Sequence, residues 1–275
     1  MKIYLFRLSL TERGGPSLFE QADDRFSRPS RTDFLVQLFT REWDFLGHGG
    51  KRLKYGVAQQ DGEIISGVVG RWITEEKEGD PTDLWTTVEQ NHWEKAAIFL
   101  NLNPHDQVIG LEWKSAVGSP ASLLKSLVTS LNEKAGAPAY KIEFFAVSSK
   151  AEFWTAVEQC PAPITSLALD LVIPNPSDAS GATARALKRL RKRLNADRYK
   201  GRATNKDGLN VHDSLVKDAV QYVAAGGGEI VAKSDEHVVY DSRNFVATAE
   251  VDELARPTGG IITRLADMLA GKLKR

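Results

Sequence analysis

LKYGVAQQDGEIISGVVGRWI, residues 53–73, is two β-rich runs separated by Gln59, Gln60, Asp61 and Gly62. A polar, glycine-containing break between such runs is the mark of an antiparallel hairpin, because glycine adopts the positive φ that a tight turn demands. The spacing therefore predicts two neighbouring strands joined across 59–62. More strand-length runs follow in DLWTTVEQ (83–90), KAAIFLNL (95–102) and QVIGLEW (107–113), while KIYLFRL at 2–8 alternates apolar and polar positions.

Helical patterns punctuate these strands. Ser30 reads as an N-cap for TDFLVQLFTREWDFL (32–46), which would present Phe34, Leu35, Leu38, Phe39, Trp43 and Leu46 to a core. Gly118, Ser119 and Pro120 break the chain before PASLLKSLVTSLNEK (120–134), with Ser119 as cap and Pro120 at the first helical position. A strand YKIEFFAV (140–147) and a short helix KAEFWTAVEQC (150–160) come next.

After Pro161 and Pro163, the chain reads as strand SLALDLVIP, loop PNPSDASG, a basic helix, strand YKGRAT, helix VHDSLVKDAVQYVAA and a glycine run at 226–228. Strands EIVAKS and NFVATAEV and a closing helix, GGIITRLADMLAGKLKR, complete it. The expected class is α+β. A sheet-rich, largely antiparallel part spans 1–160, and a second α+β part, carrying the basic helix, spans 161–275. The glycines follow a helix, so they fit a C-cap and turn better than a phosphate cradle.

The formal net charge of the 275-residue chain is zero, with 36 Lys plus Arg against 36 Asp plus Glu. The distribution is uneven. From Glu75 to Glu112 nine acids face only Lys77 and Lys95, whereas from Arg185 to Lys206 ten cations face Asp197 alone. The single cysteine, Cys160, excludes an internal disulfide and a thiolate zinc site, which fits a reducing cytoplasm. Arg7 interrupts the first apolar run, and no stretch approaches eighteen apolar residues, so neither a signal peptide nor a membrane span is expected.

Within the basic region, ARALKRLRKRL (184–194) places six cations in eleven positions. At 100° per residue, Thr183, Ala186, Leu187, Leu190 and Leu194 fall on one side, and Arg185, Lys188, Arg189 and Lys192 line the other. Solvated helix faces usually alternate sign, because like charges four residues apart repel by about 0.2–0.5 kcal/mol per pair. Four unbroken cations, joined by Arg191 and Arg193 and then by Arg198, Lys200, Arg202 and Lys206, point to a polyanion. Many Lys and Arg with few side chains for base edges imply phosphate contact with little sequence preference. Tyr199 is the region's only aromatic residue, so duplex is expected over stacked single strands. The leucines serve a core better than a membrane surface.

LGHGGKRL (46–53) sets glycines beside a lysine, but Phe45 stands where a P-loop needs its first glycine and Arg52 replaces its Ser or Thr. It reads as a basic loop in which Lys51, Arg52 and Lys54 add phosphate contacts. Asp106, Glu112 and Lys114 echo the acid pair and lysine of metal-dependent nucleases, which makes a nuclease the alternative reading. The competing explanation is a solvent-facing Glu112 and Lys114 beside a buried Trp113. The five histidines are scattered without HExxH, and no GxSxG occurs, so no catalytic residue, metal or cofactor is assigned. A protein-interaction module with an acidic partner is a third reading.

SLALDLVIPNPSD, the basic helix and GLNVHDSLVKDAVQYVAAGGGEIVAK, in that order, resemble a family of phage- and prophage-encoded, defence-associated proteins related to RexA of the phage lambda exclusion system. DQVIGLEWKSAVGSPASLLKSL looks like the same family's strand, Gly/Pro loop and helix. The resemblance spans most of 100–275 and implies a cytoplasmic homodimer that binds double-stranded DNA nonspecifically. It further implies a role as sensor in phage exclusion, signalling to a membrane effector protein without entering the membrane itself, and no enzyme activity. Ile261, Ile262, Leu265, Leu269 and Leu273 of the closing helix would pack or dimerise, with Lys272, Lys274 and Arg275 at its end.

Overall fold

The computed structural model describes residues 1–12, 29–78, 87–104, 106–134, 140–173, 181–194 and 196–250. The fold is α+β, with mostly antiparallel strands in two sheets. Strand β1 (Lys2–Glu12) is the hinge of the first sheet. One of its edges bonds β6 (Val108–Glu112), and the other is shared by β7 (Tyr140–Ala146) and β12 (Thr248–Glu250). Beyond β6 the order runs through β5 (Thr87–Asn101), β4 (Ile64–Glu78) and β3 (Arg52–Asp61) to β2 (Trp43–Leu46).

This sheet curls into a half-barrel. Helices α1 (Arg31–Phe39) and α2 (Pro120–Lys134) fill its hollow, with α2 touching both β2 and β7 at opposite ends of the sheet. Phe34, Leu35, Leu38 and Phe39 from α1 and Leu123, Leu124, Leu127 and Leu131 from α2 meet Phe6, Leu8, Tyr55, Ile65, Val69, Ile98 and Leu100. Each such burial contributes about 1.5–3 kcal/mol, so the leucine period of α2 does more to hold the curl than any polar contact.

The expected hairpin forms, with Asp61 paired to Ile64 and Gly62 at φ 57° opening a two-residue turn, so the turn is Gly62–Glu63 and Gln59 to Asp61 stay in the strand. The runs at 83–90 and 95–102 prove to belong to one strand from Thr87 onward, paired with β4 over its whole length. The helix expected over 32–46 stops at Phe39. The Thr40 hydroxyl donates to the Val36 carbonyl, the Trp43 indole donates to the Leu38 carbonyl, and residues 43–46 turn into β2. Pairing with β3 overrides the helical pattern there, leaving Phe45 buried and Leu46 67% exposed.

From Trp72↔Trp93 to Glu78↔Thr87, the β4–β5 ribbon runs on past the strands that flank it, as β3 ends at Leu53↔Arg71 and β6 at Ile98↔Leu111. Seven rungs therefore stand as a two-stranded arm of about 23 Å at 3.3 Å per residue.

The second sheet has the order β11-β10-β8-β9, from β8 (Ser166–Val172), β9 (Arg198–Thr204), β10 (Gly228–Ser234) and β11 (His237–Asp241). One face meets α3 (Lys150–Gln159), α4 (Ala182–Leu194) and α5 (Ser214–Ala224) through Phe153, Leu167, Leu171, Leu187, Val220, Val223, Ile230 and Tyr240. The core of this sheet takes in Phe153 and Val157 from before residue 160, and β12 returns to the first sheet from the far end of the chain. NFVATAEV is not one strand but a 3-10 turn at Ser242–Asn244 followed by the three-residue β12. Strand β11 had no expectation behind it. The closing helix expected at 259–275 lies outside the described residues.

The glycine run ends α5 and starts β10, as its place in the sequence implies. The Gly226 amide donates to the Val223 carbonyl and the Gly227 amide to that of Tyr222, while Gly228 has φ 145°. A Cβ on Gly228 would lie 2.2 Å from the Asp170 carbonyl oxygen. Gly228→Ala should therefore destabilise the protein by about 2–4 kcal/mol, read as a lower urea midpoint with an unchanged slope.

Candidate nucleic-acid interface

Helix α4 sits on the second core through Ala184 and Leu187, which are almost fully buried, with Thr183, Leu190 and Arg191 half-buried beside them. The buried side is thus centred nearer Leu187 than the sequence implies. Ala186 faces solvent, and Leu194, one turn past the last packing partner, is 69% exposed. Arg185, Arg189, Lys192 and Arg193 are exposed, and none of these four has a carboxylate within ion-pair distance among the described residues. Lys188 is half-buried and already engaged within the fold. Arg191 turns away from the stripe, 3.7 Å from Glu12 and 3.9 Å from Asp197.

The cations of β9 form a separate group. Alternation along a strand sends every second side chain to the same face. Arg198, Lys200 and Arg202 accordingly share a face with Asp170 and Ser166 of β8, opposite the face on which Leu167 and Leu171 meet the helices. Arg198 clamps both oxygens of Asp170 and reaches Glu143 at 3.1 Å, Lys200 lies 3.2 Å from Asp170, and Arg202 Nε donates to Ser166 Oγ. Burial alone would push the Asp170 carboxyl up, but hydrogen bonds from Arg198 and Lys200 outweigh it and hold the carboxyl below its ordinary value. Arg198 is held above its own ordinary value, chiefly by the hydrogen bond to Asp170.

Around these pairs lies a shallow concavity of about 410 Å³, lined by Asp170, Lys200, Arg202, Glu229 and Arg243 among others. Desolvation raises the Glu229 carboxyl, while Arg243 is bound to Asp241 through both oxygens. Every cation of this face with an ion pair is matched by a carboxylate. The acids that do this were not singled out from the sequence. The available signal was Asp170, a lone acid inside the apolar run SLALDLV.

Lys206 is exposed in the loop after β9. Lys51 is exposed just before β3, and Arg52 and Lys54 lie in β3 of the first sheet: Lys54 is 2.6 Å from Glu42, and the Arg52 guanidinium lies over the Trp72 ring at 5.9 Å. Gly49 and Gly50, at φ 71° and 73°, make the turn that feeds β3. The thirteen expected contacts are thus dispersed, and α4 groups four of them, Arg185, Arg189, Lys192 and Arg193, without an acidic partner among the described residues.

Glu112 is the last residue of β6, whereas Asp106 lies in the turn before that strand begins at Val108. Glu112 accepts from the Ala97 amide at 2.8 Å, Asp106 accepts from Asn101 Nδ2 at 3.0 Å, and Lys114 donates to the Lys95 carbonyl at 3.0 Å. Each already has a local structural role. Trp113, expected to be buried between Glu112 and Lys114, is 54% exposed. Among the described residues no group of three or more His, Cys, Asp or Glu side chains is placed to hold a metal ion.

What these features define is an α+β protein of two antiparallel sheets that presents a cationic helix on its outer surface. The chain belongs to the family described as Domain of unknown function (DUF4747), whose model matches residues 55–251. That span runs from within β3 to the end of β12, so α4 and the second sheet lie inside it, while β1 and β2 of the first sheet precede it. No curated protein and no solved structure matches the chain. No helix among the described residues is long and apolar enough to cross a membrane.

Because Asp170 has a lowered value in the folded state, the stability it confers is present above its unfolded value near 3.8 and is lost as pH falls through the folded one. Asp170→Asn should cost about 1–3 kcal/mol at pH 7, and the difference from wild type in thermal melts should shrink as pH drops below about 4.

Proposed function

We propose that the protein binds double-stranded DNA without sequence preference, through the exposed face of α4. The observation that carries this reading is the set Arg185, Arg189, Lys192 and Arg193, exposed on one helix and without acidic partners among the described residues. Their mutual repulsion is relieved when phosphates neutralise them and release the counterions condensed on the duplex. The α4 core side is anchored by Ala184 and Leu187, so the cations project from a fixed rod about 20 Å long and need little ordering on binding. Side chains of this kind contact the backbone rather than base edges. Arg198, Lys200 and Arg202, already bound to Asp170, Glu143 and Ser166, contribute less than the sequence suggests.

A role as sensor in phage exclusion or antiphage defence, with a homodimeric state and a membrane effector as partner, is the part of this proposal that rests on the resemblance to RexA-related proteins alone. The nuclease alternative gains no support, since Asp106 and Glu112 are apart and individually bonded.

Four phosphate contacts give a slope of about −3.6 in log affinity against log salt. The test is a duplex-binding titration across a salt series. Arg185→Glu/Arg189→Glu/Lys192→Glu should weaken binding by tenfold or more at low salt and flatten the slope by about 3, on duplexes of unrelated sequence alike. Equal binding by wild type and variant, or cleavage of the duplex with Mg²⁺, would overturn the reading.

A further inference from the structure

The β4–β5 arm presents a problem of its own. An isolated two-stranded ribbon is marginal in water, and this one has no flanking strand among the described residues for seven rungs. Glu76 and Glu89 face each other directly across it, a pairing that opposes ribbon formation. Both are exposed, as are Thr74, Gln90 and Asn91. Over 74–78 and 87–91, the two strands of the arm, the sequence carries four acids and one lysine. Such a ribbon gains from docking against positive charge.

The molecule has a surface of opposite sign and similar length. Helix α4 carries six cations and no acid, and four of these are exposed without acidic partners among the described residues. Its thirteen residues span about 20 Å, close to the 23 Å of the arm. The two lie on different sheets, so a copy that offers its arm also offers its helix. Reciprocal exchange between two copies closes a two-fold assembly in which each surface is used once. The zero net charge of the chain is then the sum of two complementary surfaces rather than an absence of electrostatic purpose.

We propose that the acidic β4–β5 arm docks on the α4 face of a second copy of this chain, forming a weak, salt-sensitive two-fold dimer. The occupant is a second copy because both halves of the contact are present on one polypeptide. Exposed ion pairs are individually weak, so the association depends on several acting together and disappears as screening shortens their range. Where α4 also binds duplex, the arm occupies the phosphate-binding face and the two partners exclude one another. The docking itself does not depend on the DNA reading.

The experiment is sedimentation equilibrium of the full chain at about 10 mM salt, where the screening length is about 30 Å, and again at about 1 M, where it is about 3 Å. One variant, Glu76→Lys/Glu78→Lys/Glu89→Lys, makes the arm positive. Another, Arg185→Glu/Arg189→Glu/Lys192→Glu, makes the helix face negative. Wild type should approach the dimer mass at low salt and fall to monomer at high salt, and each variant alone should remain monomeric because its arm and face now carry like charge. Mixed one to one, the two variants should form a heterodimer, since each arm again meets an opposite face. Circular dichroism confirms that both are folded, and the mixture rescues the test from a trivial loss of structure. A monomeric wild type at low salt, self-association of either variant, or no heterodimer in the mixture would overturn the proposal. An arm variant that is monomeric yet binds no duplex would leave the docking standing and remove the DNA reading.

Discussion

Strand β1 must satisfy its backbone groups on both edges while burying side chains on both faces. Ile3 and Leu5 enter one apolar cluster with Phe99, Val108, Val147 and Ala249, while Phe6, Leu8 and Leu10 enter the half-barrel core. A strand so enclosed has no water to fall back on, so every amide and carbonyl needs a chain partner. Three strands from distant parts of the sequence supply them. The curl of the first sheet, the seating of α2 within it and the approach of the second sheet through β7 all follow from that one enclosed strand.

Electrostatics divides the cationic region into two populations. On the outer face of β9 each cation meets a carboxylate or hydroxyl, and the network of Arg198, Asp170, Glu143 and Lys200 joins β9 and β8 to β7. On α4, Arg185, Arg189, Lys192 and Arg193 are left exposed, whereas Arg191 is drawn back to Glu12 and Asp197 and Lys188 is engaged within the fold. A partly buried, hydrogen-bonded ion pair is a structural tie, whereas an uncompensated stripe at the surface is a standing invitation to an anion. The division separates, within one basic stretch of sequence, cations tied into the fold from cations left exposed on α4.

The hairpin at 53–73, the α2 leucine period, the Ser30 cap and the α4 amphipathy were all legible, because each depends on local pattern alone. Ser30 does accept from the Asp33 amide as an N-cap should. The failures lie where distant pairing decides. Trp43 to Leu46 follow a helical period yet become a strand beside Leu53 and Tyr55, and HVVYD at β11 is too short and polar to announce itself apart from its pairing with β10. The candidate surface was legible in its charge and not in its geometry. Nothing local to RYKGRAT reveals that its cations turn away from those of α4, because the side a strand shows depends on the register with Asp170.

The pairing of β12 with β1 also sets an order of assembly. Lys2 to Tyr4 bond Thr248 to Glu250, so β1 has part of one edge closed only by a strand made about 245 residues later. The β3–β4–β5 meander, built from neighbours, can form long before. During synthesis the nascent chain therefore holds a strand with an open apolar edge, and its apolar side chains await covers that arrive from β6, then β7, then β12. Slow translation between residues 146 and 248 would prolong that exposure, and a chaperone that recognises extended apolar segments would find its natural client site at Ile3 to Leu10.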